Sequence, residues 1–233
     1  MILLVNGCKG RMGQALTRLG QAAGHTVYGA DQDAPLAALP QGDVIVDFSC
    51  PEALETVLSE ALKRKIPAVI CTTGHTEAQK EAILEAAKTI PLFHAGNTSL
   101  GVAQLCRMVR ETAKLFPQAQ IEIVETHHIH KKDAPSGTAK MLFEAAKEAR
   151  PDAVMTCGRQ GLCPRSENEI GVHALRRGEV IGIHEVHIST PTQTLTLRHE
   201  AHDRSLFAEG ALTAAEFLMG QPPRLYDMKA LLK

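Results

Sequence analysis

Apolar residues in the first hundred positions recur in two alternating rhythms. Short unbroken apolar runs read as buried strands, and apolar positions three and four apart read as helices. Met1–Asn6 (MILLVN) is the first strand. Met12, Ala15, Leu16, Leu19 and Ala23 then keep helical spacing, and Gly24 closes that helix. Thr26–Ala30 is a second strand ending at Asp31, and Asp43–Phe48 (DVIVDF) is a third. Pro51 opens a helix that runs to about Lys65. Ala68–Cys71 is a fourth strand, followed by Thr72-Thr73-Gly74 and a helix from about Glu77 to Lys88. Pro91–His94 is a fifth strand, ending in Ala95-Gly96-Asn97-Thr98. Strands alternating with helices at this pace predict a parallel sheet wound right-handedly. The loops after its strands, Gly7–Gly13, Asp31–Gln32, Phe48–Ser49, Cys71–Gly74 and Ala95–Thr98, then gather at one sheet edge. They are small and polar, as a ligand crevice requires.

After Ser99 the rhythm changes. A helix over about Leu100–Phe116 leads into Ile121–Val124, a run of strand formers, and another helix spans Thr138 to about Ala149. Cys157–Ile170 (CGRQGLCPRSENEI) is polar, carries Gly, Pro and Arg, and reads as a mobile loop of the kind that forms lids or interface arms. From Gly171 the pattern is antiparallel strand: Gly171–Leu175, Glu179–Ser189 and Thr194–His199, with turns at Arg177-Gly178 and Pro191. Residues 208–219 form an Ala-rich helix, and the amphipathic tail from Arg224 is expected to return to the first domain. The chain therefore reads as α/β: a parallel-sheet domain and a mixed α+β segment over about 100–207.

Composition narrows the function classes. A chain of 233 residues, 44% hydrophobic, can bury a sizeable core as one large domain or two small ones. A net charge of −1 with no long run of one sign speaks against nucleic-acid binding, and 3% aromatics with no Trp against base stacking. No apolar stretch is long enough to span a bilayer, and MILLVNGCKG lacks the basic start of a signal peptide. Cys8, Cys50, Cys71, Cys106, Cys157 and Cys163 are scattered without a C-x-x-C pair. Cys157 and Cys163 are near enough to pair in principle, but the set reads as the reduced thiols of a cytoplasmic protein.

The first loop carries chemistry. Gly7 allows a tight turn, Gly10 a close approach to pyrophosphate, and Gly13 the packing of helix on strand. The spacing G-x-x-G-x-x-G is one residue wider than the commonest dinucleotide form. It gains weight from the strand before it, the helix after it, and Asp31 at the end of the second strand, placed to accept hydrogen bonds from ribose hydroxyls. Asp31 also has a plain reading as a turn residue, and Arg11 reads either as a phosphate or substrate contact or as a solvated first-turn charge. The fold expectation is a Rossmann-type domain. An acid after the second strand, followed by Gln32 and not Arg, favours NADH; Lys9 and Arg11 nearby keep NADPH in play.

The densest polar stretch is Glu125–Ala139 (ETHHIHKKDAPSGTA), where His127, His128, His130, Lys131, Lys132 and Asp133 precede Pro-Ser-Gly-Thr at the start of a helix. Helix N-termini attract anions through unpaired N–H groups. Ser136 and Thr138 are capping types, and Gly137 lets a ligand approach the backbone. Lys131 adds a charge, and His127, of a type that titrates near ~6.5, can move a proton at neutral pH. A small carboxylate substrate needing one proton suits such a site. Two other readings stand beside it: a basic surface loop leading into a capped helix, and a metal site. The latter is disfavoured because a strand would split His127 and His130 from His128, and no cysteine lies within the cluster. His184-Glu-Val-His187 and His199-Glu-Ala-His202 are one residue short of metalloprotease spacing and read as sheet-surface or buried structural histidines. No metal is expected.

GxxGRMG at Gly7–Gly13, CTTG at Cys71–Gly74, AGNTS at Ala95–Ser99 and ETHHIHKKDAPSGTA at Glu125–Ala139 together resemble the 4-hydroxy-tetrahydrodipicolinate reductase (dihydrodipicolinate reductase) family of diaminopimelate and lysine biosynthesis. The resemblance covers nearly the whole chain, including Phe207–Gly210 and Leu225–Met228. It implies a dinucleotide-binding domain over 1–98 and 208–233, and a substrate-binding and oligomerisation domain over 99–207 that assembles a homotetramer. It implies catalytic roles for His127, the proton donor, and Lys131. Substrate is held by His128, Gly137 and Thr138. NADH or NADPH is lined by Gly7, Cys8, Lys9, Gly10, Arg11, Met12, Asp31, Cys71, Thr72, Thr73, Ala95, Gly96, Asn97 and Thr98. The implied reaction reduces 4-hydroxy-tetrahydrodipicolinate, a small cyclic dicarboxylate, to tetrahydrodipicolinate with loss of water. Ile129 stands where many members have Arg, Cys71 where Gly is usual, and Gln32 where a basic residue is frequent. Outside this class, the alternatives are an NAD-sensing module without turnover and a metal-dependent hydrolase. Within it, the competitor is a related Rossmann oxidoreductase acting on another small acid.

Overall fold

The computed structural model describes residues 1–232. In chain order the first half holds β1 (Ile2–Asn6), α1 (Arg11–Ala22), β2 (Thr26–Ala30), β3 (Val44–Asp47), α2 (Leu54–Arg64), β4 (Ala68–Ile70), α3 (Glu77–Ala86), β5 (Pro91–His94) and α4 (Leu100–Leu115). The second half holds β6 (Gln120–His127), α5 (Gly137–Lys147), β7 (Val154–Cys157), β8 (Glu169–Arg176), β9 (Gly182–Ser189), β10 (Thr194–Ala201), α6 (Ser205–Leu218) and β11 (Arg224–Tyr226). The chain forms two compact units: Met1–Leu100 with the chain from Arg204 onward, and Gly101–Asp203.

The first unit is a parallel sheet in the order β11-β5-β4-β3-β1-β2. Its strands are apolar runs, Leu3–Val5, Val44–Val46 and Ala68–Ile70, all fully buried. Strands without a polar face need cover on both sides, which the crossover helices supply. From β1 the chain winds one way to β2 and the other way through β3, β4 and β5. The strand order therefore switches between β1 and β3, where open α/β sheets bind ligands at the strands' carboxyl ends. The tail does return to this unit: α6 lies against α1, and β11 pairs with β5. Gly210 lets α6 sit on the loop after β5. A Cβ there would lie 1.6 Å from the Thr98 carbonyl oxygen, and the Thr98 hydroxyl donates to the Phe207 carbonyl at 2.6 Å.

The second unit is a mixed sheet in the order β10-β9-β6-β8-β7. β6 is central, parallel to β8 and antiparallel to β9. This corrects the expectation of three consecutive antiparallel strands from Gly171. β8 and β9 run in opposite directions, but β6 lies between them, so Arg177-Gly178 joins strands that are not hydrogen-bonded neighbours. β7 is a further strand not foreseen, parallel to β8. β9 starts at Gly182 rather than Glu179, and β6 continues past Val124 to His127. It continues because Thr126 and His127 keep the register with Leu175 and Arg176 although the apolar pattern has stopped. The loop between β7 and β8, expected to be mobile, is tied down by two arginines. Arg159 pairs with Glu169, and Arg165 pairs with Glu122 and donates to the carbonyls of Ile121 at 3.2 Å and Glu169 at 2.7 Å.

One face of this sheet is covered by α4 and α5, whose Val102, Leu105, Val109, Leu142 and Phe143 pack on Ile121, Ile123, Ile170, Val172, Val186 and Ile188. Alternate residues of a strand share a face. On β6 that face reads Ile121, Ile123, Glu125, His127; on β8 it reads Ile170, Val172, Ala174, Arg176; on β9, running the other way, Ile188, Val186, His184, Gly182. Each series is apolar at one end of the sheet and polar at the other.

Candidate active site

All the residues implied to line the dinucleotide lie at the carboxyl edge of the first unit's sheet. The β1–α1 turn supplies Gly7, Cys8, Lys9, Gly10, Arg11 and Met12; β2 ends at Asp31; Cys71, Thr72 and Thr73 follow β4; Ala95, Gly96, Asn97 and Thr98 follow β5. Gly7 has φ +80, a left-handed conformation that disfavours side chains. At Gly13 a Cβ would lie 2.2 Å from the Gly7 carbonyl oxygen, so only glycine lets α1 approach β1 this closely. Gly10 is the N-cap of α1 and offers no side-chain cap, and the first turn of α1 holds no acid. That end of the helix thus suits phosphate. The Asp31 carboxylate accepts from the amides of Gln32 at 2.9 Å and Lys9 at 3.0 Å, and these bonds lower its pKa. It is an anion with acceptor capacity left, suited to ribose hydroxyls. Lys9 is engaged elsewhere, with Asp33 at 2.5 Å.

Cys71, Thr72 and Thr98 are buried. Burial, and then the charge of Asp47, push the Cys71 thiol well above its usual pKa, so it stays a thiol. The Thr72 hydroxyl donates to Asp47 at 2.5 Å and accepts from the Ser49 amide at 3.1 Å. Asp47 is fully buried and also accepts from Asn6 at 2.8 Å and the Ser49 hydroxyl at 2.5 Å. One carboxylate therefore fastens the loops after β1, β3 and β4 together. Sequence reading passed over it because an Asp ending DVIVDF looks like a strand terminus.

In the second unit the polar ends of β6, β8 and β9 meet the N-terminus of α5. Ser136 caps that helix, accepting from the Ala139 amide at 3.2 Å, and its hydroxyl bonds His184 Nε2 at 3.1 Å. Among the described residues nothing lies within 4 Å of where a Gly137 Cβ would sit, so the backbone there is approachable. Thr138 follows within the first turn. Lys131 pairs with Asp133 at 2.8 Å, which lowers the Asp133 pKa. His127 Nδ1 donates to Glu125, leaving Nε2 as the other working nitrogen of the ring. A Cβ on Gly182 would lie 3.1 Å from that Nε2, so glycine leaves it room.

Glu125 is fully buried and is also bridged by Arg176 through both guanidinium ends, at 2.9 and 3.0 Å. Burial alone would raise its pKa, but the hydrogen bonds from His127, Arg176 and the Ser136 amide outweigh it and bring it down to about 2. His184 stacks edge-on to His127 with ring centroids 5.1 Å apart. Burial first, and then the neighbouring His127, depress His184 to about 3, so it is neutral at any ordinary pH.

His127 lies on the strand, whereas His128 and His130 lie beyond its end, their rings 6.1 Å apart. The alternating-face argument about these three histidines does not apply, because the chain turns there, Lys131 N donating to the His128 carbonyl at 3.2 Å. Among the described residues no three His, Cys, Asp or Glu side chains are grouped to hold a metal, and all six cysteines are free. Ile129 is exposed. Glu125 and Arg176 were not assigned roles from sequence, whereas Ser136 was expected to cap and does so, and His184, expected to be structural, is buried beside His127. Glu125 could have been found two residues before His127 on one strand face. Arg176 and His184 could not, since only the β8 and β9 registers bring them there.

The model for dihydrodipicolinate reductase, C-terminus, matches residues 101–232, and that for dihydrodipicolinate reductase, N-terminus, matches residues 26–98. The 4-hydroxy-tetrahydrodipicolinate reductase of Alkaliphilus metalliredigens is 43% identical over 237 residues, covering 100% of this chain and 99% of its own. That of Caldanaerobacter subterraneus subsp. tengcongensis is 41% identical over 245 residues, covering 99% and 98%. Among solved structures, a dipicolinate-bound dihydrodipicolinate reductase from Paenisporosarcina sp. TG-14 superposes with a TM-score of 0.80 at 22% identity, covering 97% of each chain.

Proposed function

Because the chain belongs to the dihydrodipicolinate reductase family, we propose that it reduces 4-hydroxy-tetrahydrodipicolinate to tetrahydrodipicolinate with release of water. The observation that carries this reading is the buried Glu125–His127 pair beside the capped, approachable N-terminus of α5. A nicotinamide dinucleotide, when bound, supplies the hydride. In the first unit, the α1 terminus at Gly10 and the amides of the β1–α1 turn hold its phosphates, and Asp31 holds ribose hydroxyls. In the second unit, the amides of Gly137 and Thr138 take one substrate carboxylate, with His128 alongside. Lys131 offsets negative charge near the reacting carbon. His127 delivers a proton from Nε2 while Glu125 keeps Nδ1 protonated. The engagement of Lys9 by Asp33, with Gln32 beside Asp31, favours NADH over NADPH, since a ribose phosphate would meet the Asp31 carboxylate, while Arg11 at the start of α1 keeps NADPH in play. As the family resemblance implies, we further propose a cytoplasmic enzyme that forms a homotetramer through the second unit.

The test is nicotinamide absorbance on the purified protein. Substrate is generated in place from pyruvate and aspartate semialdehyde by a separate synthase, then NADH or NADPH is added. Oxidation that needs every component is the expected result, faster with NADH. His127→Ala is expected to lower kcat by about 10²–10⁴-fold while NADH binding persists. Absence of oxidation by a protein that still quenches with NADH would move the substrate assignment elsewhere.

A further inference from the structure

We propose that the buried Glu125–Arg176 pair is a positioning device, one that fixes the tautomer of His127 and the placement of the α5 terminus through a single carboxylate. The inference rests on the reductase reading of this site and adds to it the means by which proton delivery and anion binding are held in register.

The hydrogen-bond pattern carries it. Oε2 of Glu125 serves His127 Nδ1 and Arg176 Nη1; Oε1 serves the Ser136 amide, at 3.1 Å, and Arg176 Nη2. Each oxygen thus takes one donor from Arg176 and one from a group of the candidate site. Only a flat, forked cation can satisfy both oxygens and leave the second acceptor site of each open. Arg176 reaches further: Nη2 donates to the Asp133 carbonyl at 2.7 Å, and Asp133 pairs with Lys131 at 2.8 Å. His127 and Lys131 therefore stand at the two ends of one connected chain of contacts, and the Ser136 cap branches from its middle. His127 meets Glu125 on its own strand and His184 on β9, and Arg176 lies opposite it on β8; Asp133 and Lys131 join through Arg176, and Ser136, the cap of α5, joins through Glu125 and His184.

Two effects follow. A carboxylate on Nδ1 keeps the hydrogen on that nitrogen, so Nε2 is the atom that exchanges a proton. Arg176 offsets the carboxylate's charge. An unneutralised buried carboxylate would bind the imidazolium proton more tightly and make His127 a reluctant donor. Glu125 and Arg176 touch neither substrate nor cofactor in this account; they act through His127 and Ser136.

The test compares Glu125→Gln, Arg176→Gln and Arg176→Lys with the unaltered protein, in steady-state kinetics across pH and in nitrogen-15 NMR of the histidine rings. For Glu125→Gln, kcat is expected to fall by about 10²-fold or more. KM should change by no more than about threefold, because the glutamine oxygen still receives the Ser136 amide. For Arg176→Gln, the pH–rate limb that reports the proton donor is expected to move up by about one unit, and Arg176→Lys to bring it most of the way back. The NMR is expected to show the Nδ1–H tautomer of His127 in the unaltered protein and its loss in Glu125→Gln. Unchanged kcat in Glu125→Gln, an unmoved limb in Arg176→Gln, or an Nε2–H tautomer in the unaltered protein would each overturn the proposal. Should Glu125→Gln fail to fold, the two Arg176 variants decide. If the unaltered protein turns nothing over, the reductase reading fails by itself, and the NMR still judges the positioning claim.

Discussion

His184 makes the protein acid-sensitive by an amount that the structure lets one work out. Its imidazole is 3% exposed and its pKa lies at about 3, against 6.5 for the ordinary group. Between those values the unfolded chain takes up a proton that the folded chain refuses. Stability from this group is complete above 6.5 and is lost progressively as pH falls toward 3. Each unit of separation is worth about 1.4 kcal/mol, so at about pH 5 roughly 2 kcal/mol has gone. For a chain of this size that corresponds to a drop in Tm of about 4–8 °C. Glu125 does not confuse the measurement, because its own window opens only below 4.5. The assay is thermal unfolding by circular dichroism at about pH 7.5 and about pH 5, on the protein and on His184→Gln, which keeps a polar end for Ser136 but cannot titrate. The variant is expected to start less stable and to lose about 4–8 °C less on acidification. An acid-induced drop equal in the two proteins would refute the reasoning, whatever their absolute Tm values.

Two further outcomes concern the first unit. Gly13→Ala puts a methyl 2.2 Å from a backbone oxygen, so it is expected to cost about 1–3 kcal/mol in stability and to weaken NADH binding at least ~10-fold; an unaltered fluorescence titration would contradict this. Asp47→Asn replaces an acceptor of three side-chain donors by a group that is itself half donor, with an expected loss of about 1–3 kcal/mol in urea unfolding and weaker NADH binding; full stability would show that the carboxylate does not hold the loops.

Which parts of this architecture were readable in the sequence follows from how local their causes are. The first unit was readable because parallel strands buried on both faces leave continuous apolar runs, as Leu3–Val5 and Val44–Val46 do. The glycine turn after β1 was readable for the same reason: Gly7, Gly10 and Gly13 act on their immediate neighbours. The second unit's helices and most of its strands were readable too, but its strand order was not. Its strand order depends on β6 accepting β8 on one side and β9 on the other, and no turn residue records that choice. β7 is four residues long and sits at the sheet's edge, too short for a periodic signal. The candidate site divides along the same line. His127, Lys131, Gly137 and Thr138 lie within one stretch and could be named together. Arg176 reaches Glu125 from 51 residues away, beside a turn signal that explained it well enough to hide it.

The return of β11 to the edge of β5 has a consequence for synthesis. On the ribosome, β5 is finished about 130 residues before its neighbour exists, an interval on the order of ten seconds at ordinary elongation rates. For that time the outer rim of β5 presents bare backbone donors and acceptors to any passing strand, and α1 lacks the helix that later covers it. The second unit, contiguous in the chain, can fold while the first waits. Loss of the chain from Arg224 onward would leave that rim bare for good. β11 therefore protects the finished protein from aggregation, and stop codons falling between α6 and β11 should yield inclusion bodies rather than a trimmed enzyme.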